Sequence, residues 1–229
     1  MGFPRKSGLV SIVVPAFNSA MYLSDCLDSL QSQTYPDVEV IVVNDASTDA
    51  TKHVLDVWVK RRNPQDRSKV LTVTLPRNVG FAGAIHTGFF LSEGEFIAVQ
   101  DSDDLSHPER ISRQVAYLRA HPEIDLVGTN YKTFRKHASE PGRTPTWLAY
   151  GDQIKSVYAN GGHCVCHGTI LFRGRLFDTV GGPTRRIEGA EDYEFITKCL
   201  SLQANIENIP DVLYYYREHE HQRSRTFYH

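Results

Sequence analysis

Phe96-Ile97-Ala98-Val99-Gln100-Asp101-Ser102-Asp103-Asp104 is the stretch that decides the fold of this chain. Four apolar residues read as a buried strand, and the sequence then turns acidic at once. The same arrangement stands upstream, where Val38-Glu39-Val40-Ile41-Val42-Val43 runs into Asn44-Asp45-Ala46-Ser47-Thr48-Asp49. Its β-branched content suits a sheet interior. Outward from these, Leu9 to Pro15 reads as a first strand ended by proline, and Val70 to Leu75 as another. Helical stretches lie between them. Tyr22 to Leu30 puts Leu23, Leu27 and Leu30 on one face, and a second segment carries Val54, Leu55 and Trp58. Ala82 to Leu91 holds the small residues Ala82, Gly83, Ala84 and Gly88, which permit close packing or close approach to a ligand. This alternation predicts a mostly parallel α/β sheet with helices on both faces. The loops after the strands then share the sheet's carboxyl edge, where such sheets bind ligands, and both acidic corners fall there.

The second half is less regular. Pro108 to Leu118, Trp147 to Val157 and Asp192 to Leu202 read as helices; Asp125 to Gly128, Ile170 to Phe172 and Val212 to Tyr216 read as strands. The polar stretch 135–145 reads as a loop.

Composition narrows the function classes. The 229 residues are 41% hydrophobic and 23% charged, as in a globular protein, with a formal net charge of -2 that offers nucleic acid no global positive field. No apolar run is long enough to cross a bilayer as a helix, and Met1 to Lys6 lacks the apolar stretch of a secretion signal. Four cysteines at these spacings make neither a disulfide scaffold nor a zinc signature, which leaves the cytosol as the expected location.

The acids after Val99 carry the sharpest chemical signal. Three carboxylates this close repel one another unless something positive neutralises them, and a hard divalent cation with oxygen ligands does so most simply. Ser106-His107-Pro108-Glu109 already resembles a helix start with Ser106 as its cap, which leaves the upstream acids free of that task. Asp45 reads either as an ordinary turn former beside Asn44 or as a carboxylate placed to accept a hydrogen bond from a base or ribose. No Gly-x-Gly-x-x-Gly follows the first strand, which argues against a dinucleotide oxidoreductase. Glu191-Asp192 precedes a helix and reads either as a cap or as a general base. Tyr216-Arg217-Glu218-His219-Glu220-His221-Gln222-Arg223 gathers imidazoles and cations; His219 suits a metal, and Arg217 or Arg223 a diphosphate. His163 and His167 are assigned no metal role.

Taken in order, these segments resemble the large glycosyltransferase family two, inverting enzymes with a GT-A fold. The matching pieces are Val13-Val14-Pro15-Ala16-Phe17-Asn18, Gln33-Thr34-Tyr35-Pro36, Val42 to Asp49, Asn78-Val79-Gly80, Asp101 to Asp104, Glu191-Asp192 and Tyr216 to His219. The resemblance implies that Pro15 and Asn18 shape the rim of a nucleotide pocket and that Asp45 contacts the base. Asp101 and Asp103 look like the carboxylates of an Asp-x-Asp motif, the first near the ribose and the second on Mn²⁺ or Mg²⁺. Asp104 resembles a third acid at the donor sugar or metal shell. Asp192 looks like the catalytic base with Glu191 beside it, and His219 resembles a metal or diphosphate ligand. Three positions depart from the pattern: Asn44 stands for an aspartate, Ala46 for a glycine and Gln100 for an aliphatic residue.

The implied organisation is a tail over 1–8, a nucleotide-sugar-binding half over 9–104, an acceptor-binding half over 105–216 in the same sheet, and a closing segment over 217–229. The implied activity transfers a hexosyl or N-acetylhexosaminyl group from a nucleotide-diphosphate sugar, UDP-linked by preference, to a hydroxyl of a saccharide or glycolipid. Cell-envelope polysaccharide synthesis at the inner face of the membrane is the expected setting. A non-catalytic sugar-nucleotide or glycan-binding module, and a metal-dependent nucleotidyltransferase, are the competing readings.

Overall fold

The computed structural model describes residues 4–62, 69–184, 189–220, 222, 223 and 225. An eight-stranded sheet runs through them, flanked by helices on both faces as the alternation predicts. Its strands are β1 (Lys6–Ala16), β2 (Val38–Asn44), β3 (Lys69–Thr74), β4 (Gly94–Val99), β5 (Leu105–Ser106), β6 (Leu126–Phe134), β7 (Leu171–Arg173) and β8 (Ile206–Arg217), in the spatial order β3-β2-β1-β4-β7-β6-β8-β5. The four strands β1 to β4 are mutually parallel, and β6 pairs parallel with β8. The short strands β7 and β5 run antiparallel to their neighbours.

Strand pleating divides the core. Val10, Ile12 and Val14 of β1 face one side with Phe96 and Ala98 of β4. Val13, Ile97 and Val99 face the other. Side chains two apart share a face, so each central strand carries apolar residues on both faces. Helices α1 (Leu23–Gln31), α2 (Thr51–Arg61) and α4 (Arg110–Ala120) cover the first side through Leu27, Trp58 and Ile111. Helices α3 (Gly80–Leu91), α5 (Gln153–Ala159), α6 (Gly174–Val180) and α7 (Glu191–Ser201) cover the second through Phe89, Ile154, Phe177 and Phe195. Gly88 of α3 shows why that helix is built from small residues. A Cβ there would stand 2.1 Å from Val13 Cγ1, so the helix lies directly on β1.

Several local expectations are corrected. Ser106 is not a helix cap but part of β5; α4 starts at Arg110, and its preceding residue Glu109 makes no side-chain cap bond. The helix expected from Trp147 begins only at Gln153, leaving Trp147 exposed on an irregular segment. Strands β6 and β8 each extend well past the predicted runs because they pair along nearly their whole length. Lys6 belongs to β1, paired beside Gly94, rather than to a tail. Helix α6 is short and carries no marked sequence periodicity, and it was not expected. No helix among the described residues is long and apolar enough to cross a membrane.

Candidate functional site

The carboxyl ends of β1, β2 and β4 open into a cleft of about 1310 Å³. Pro15, Asn18, Asp45, Asp101, Asp103, Asp104, Glu191, Asp192, His219 and Arg223 all line it, although they span more than two hundred positions of sequence.

The first two loops are tied together. Asn18, with φ 50°, accepts from the Thr48 N–H at 2.9 Å, and its own N–H donates to Ser47 Oγ at 3.0 Å. Asn44 accepts from the Ser47 N–H at 3.0 Å, so its amide oxygen does the turn-forming work open to an aspartate. Ala46 sits at φ 53°, a left-handed conformation that glycine adopts without strain. Asp45 is buried, and its two oxygens accept from the Val79 and Gly80 N–H groups at 2.7 and 2.9 Å. It therefore fixes the start of α3 from a distance, and lone pairs of that carboxylate remain for further donors.

The turn after β4 is held from beneath. Arg110 is fully buried and donates to the Val99 and Gly168 carbonyls at 2.6 and 3.1 Å, to Gln100 Oε1 at 2.9 Å and to Ser106 Oγ at 2.9 Å. Ser106 Oγ donates to the same Gln100 oxygen at 2.6 Å. This accounts for Gln100: an aliphatic residue there would strip Arg110 and Ser106 of an acceptor in the core. Above this hub the acids crowd together. Burial first, and the neighbouring Asp103 charge second, push the Asp101 carboxyl up to about 7. Burial likewise raises Asp104 well above the usual carboxylate range. A Cβ at Gly168 would stand 2.5 Å from Asp101 Oδ2, so only glycine leaves room for that carboxyl.

The C-terminal segment completes this side. The Arg217 N–H donates to Asp104 Oδ1 at 2.7 Å, while Asp104 Oδ2 makes no hydrogen bond of ordinary geometry among the described residues. His219 Nε2 lies 2.9 Å from Asp103 Oδ2, and its ring packs on Tyr22 at 4.5 Å. Arg217 itself is a correction. Its guanidinium is buried between Tyr22 and Phe134, donates to the Asp103 carbonyl at 2.7 Å, and does not line the cleft. Its packing fixes the end of β8, and among the described residues Arg223 is the arginine that reaches the cleft, paired with Glu191 and lying over the Phe81 ring at 5.2 Å. His221 and residues 226–229 lie outside the described residues.

Opposite the acids, α7 presents Asp192 at its first turn. Asp192 Oδ1 accepts from the Tyr193 N–H at 2.7 Å, and Oδ2 stands 3.6 Å from His163 Nε2. Glu191 is buried and accepts from the Gly189 N–H at 2.9 Å. Sequence reasoning passed over the aromatic wall here: Tyr131, Trp147 and His163 all line the cleft, with the Trp147 and His163 rings stacked at 5.3 Å. The only sequence signal was the Gly161-Gly162-His163 turn. His167 is a second omission. Both its ring nitrogens are buried without a hydrogen-bond partner among the described residues, and burial lowers its pKa to about 4. Among the described residues no three side chains of ligating type already converge as a metal cluster; Asp103 and His219 form a two-donor pair.

The family model described as glycosyl transferase family 2 matches residues 11–181. The chain is 30% identical over 212 residues to a Bacillus subtilis (strain 168) protein named as a glycosyltransferase, EpsE, covering 91% of this chain and 73% of EpsE. In fold it is similar to S. aureus TarS residues 1–349 in complex with UDP-GlcNAc, with TM-score 0.76 and 24% identity over 96% of this chain and 61% of that one. It is also similar to the mannosyltransferase PcManGT of Pyrobaculum calidifontis in complex with GDP-Man and Mn²⁺, with TM-score 0.70 and 22% identity over 96% of this chain and 60% of that one. The chain thus spans about three fifths of the length of these two structural neighbours. A family match over most of the chain, on a mostly parallel sheet whose carboxyl edge carries the expected acids, leads to one conclusion: the chain belongs to glycosyl transferase family 2 and is a glycosyltransferase of GT-A fold.

Proposed function

We propose that this chain moves a glycosyl group from a uridine-diphosphate sugar to a hydroxyl of a saccharide or glycolipid acceptor, by a single displacement that inverts the anomeric carbon. The observation that carries this reading is that one cleft holds Asp45, Asp101 and Asp103 on its sheet side and Asp192 on α7. Asp192 takes the proton of the acceptor hydroxyl. The freed oxygen bonds to the anomeric carbon as the bond from that carbon to the diphosphate oxygen breaks, and the electron pair leaves with the diphosphate. Asp45 and Asn18 hold the nucleoside end, and Arg223 offsets charge on the leaving group.

Asp103 and His219 are the residues that would hold Mn²⁺ or Mg²⁺. They fit such an ion, since these cations keep few protein ligands and complete their shells with phosphate and water. Burial first, and the neighbouring carboxylate charges second, raise Asp101 and Asp104, which marks the same corner as short of positive charge. When bound, the ion would supply electrostatic stabilisation of the diphosphate. The Mn²⁺ and GDP-Man of one neighbour and the UDP-GlcNAc of the other support this donor class. Cell-envelope polysaccharide synthesis on the cytoplasmic side remains the proposed setting.

Ligand-observed binding of UDP-, TDP- and GDP-sugars, each with and without Mn²⁺, tests the donor. Selective, Mn²⁺-dependent binding of UDP-sugars is expected; selective binding of another carrier would replace the uridine assignment. Asp192→Asn is expected to lower kcat by roughly 10²- to 10⁴-fold while donor binding survives. Turnover at the native rate would remove Asp192 as the base.

A further inference from the structure

His163 stands between two groups that together fix its chemistry. Tyr158, on α5, places its hydroxyl 2.9 Å from His163 Nδ1, and the Asp192 carboxylate lies 3.6 Å from Nε2. Tyr158 is buried, which pushes its phenol above the usual range and keeps its proton in place. The Asp192 carboxylate can only accept, so the ring nitrogen that faces it is the one suited to carry the proton, and the phenol proton then points at Nδ1. Nδ1 must then accept, and the ring proton belongs on Nε2, toward Asp192. Burial also holds the imidazole neutral against the pull of the Asp192 charge. Trp147 stacks on the ring at an interplanar angle of 18° and limits its tilt, and Tyr193 lies against its other neighbour, Tyr158, at 5.4 Å.

We propose that His163 is a positioning residue for Asp192: Tyr158 sets its tautomer, and its Nε2–H steers the carboxylate toward the acceptor hydroxyl. At 3.6 Å the contact is too long for a hydrogen bond, and a small turn of Asp192 on acceptor binding closes it; such bonds are often long before substrate arrives. The arrangement inverts the familiar order in which an aspartate orients a histidine base. His163 itself takes no proton, because Nε2 already carries one. The proposal rests on reading Asp192 as the base.

Steady-state kinetics and donor binding on five variants of the full chain test it. His163→Ala should lower kcat by about 10- to 100-fold, the scale typical of lost orienting partners, with donor affinity unchanged. His163→Gln, whose amide N–H can reach the place of Nε2–H, should recover most of that loss, and Tyr158→Phe should lose activity without loss of fold. The deciding comparison is Asp192→Asn with and without His163→Ala: once the carboxylate is gone, losing His163 should cost nothing further. Full additivity of the two, lost donor binding in His163→Ala, or native rates in both His163→Ala and Tyr158→Phe would overturn the role of His163. Native turnover in Asp192→Asn alone would instead overturn the reading of Asp192.

Discussion

Ala46 and His167 each carry a local cost that a measurement can expose. Ala46 holds φ 53° in the turn after β2, where its Cβ crowds the following carbonyl. Ala46→Gly should therefore raise stability by about 1 kcal/mol, the relief of left-handed strain less the entropy glycine adds to the unfolded chain. A shift of the urea midpoint upward, with an unchanged slope, checks it. His167 is buried neutral, with its pKa lowered from 6.5 to about 4. Below about pH 6.5 the unfolded chain takes up a proton that the folded chain refuses until near pH 4. The stability contributed by the neutral ring is thus complete above 6.5 and is lost as pH falls through that window, to roughly 2 kcal/mol at pH 5. Melting temperature against pH should fall less steeply for His167→Phe than for the native chain between pH 6.5 and 5. At this scale the sequence marked Asp45, Asp103, Asp192 and His219, because acids and imidazoles after strands are visible as residue types. It did not mark His167, and it marked His163 only through its glycine-rich turn; the meaning of both lies in burial and neighbours.

Among the elements, the central strands and α1 to α4 were legible because burial on one or both faces imposes a period that the sequence must obey. Helix α6 and strand β5 were not. Seven residues and two residues are too short to show a period, and their structure comes from docking on β4 and β8. Ser106 misled for a related reason. A serine three residues before a glutamate looks like a cap, but the buried Arg110 recruits its hydroxyl as an acceptor. Arg110 joins α4 to β4 and to the segment before β7 through the Val99 and Gly168 carbonyls. Arg110→Met should cost about 3 kcal/mol or more, since it leaves those carbonyls, Gln100 and Ser106 with unmet bonds in the core. Guanidinium unfolding checks this, and a loss below 1 kcal/mol would mean that water replaces the guanidinium.

Across the whole molecule, the site depends on a chain end that returns to the middle of the sequence. His219, Gln222 and Arg223 reach the cleft because β8 pairs beside β6 and ends at Asp104. A chain ending at Arg217 keeps the sheet and should retain its far-UV spectrum, yet bind a UDP-sugar with Mn²⁺ at least about tenfold more weakly, the scale of lost charge-assisted contacts. Equal affinity would place the diphosphate away from this segment. The sequence by itself determined the three-layer α/β fold and the acidic corners on its carboxyl edge, because strand and helix periods and the loops between them are local properties of the chain. Only the tertiary structure decided which cations and imidazoles meet those acids. It buried Arg217 and exposed Arg223 to the cleft, and it brought the Tyr158–His163 pair against Asp192 from the distant start of α7. Those contacts join residues far apart in sequence, and no spacing along the chain encodes them; packing of the sheet and its helices does.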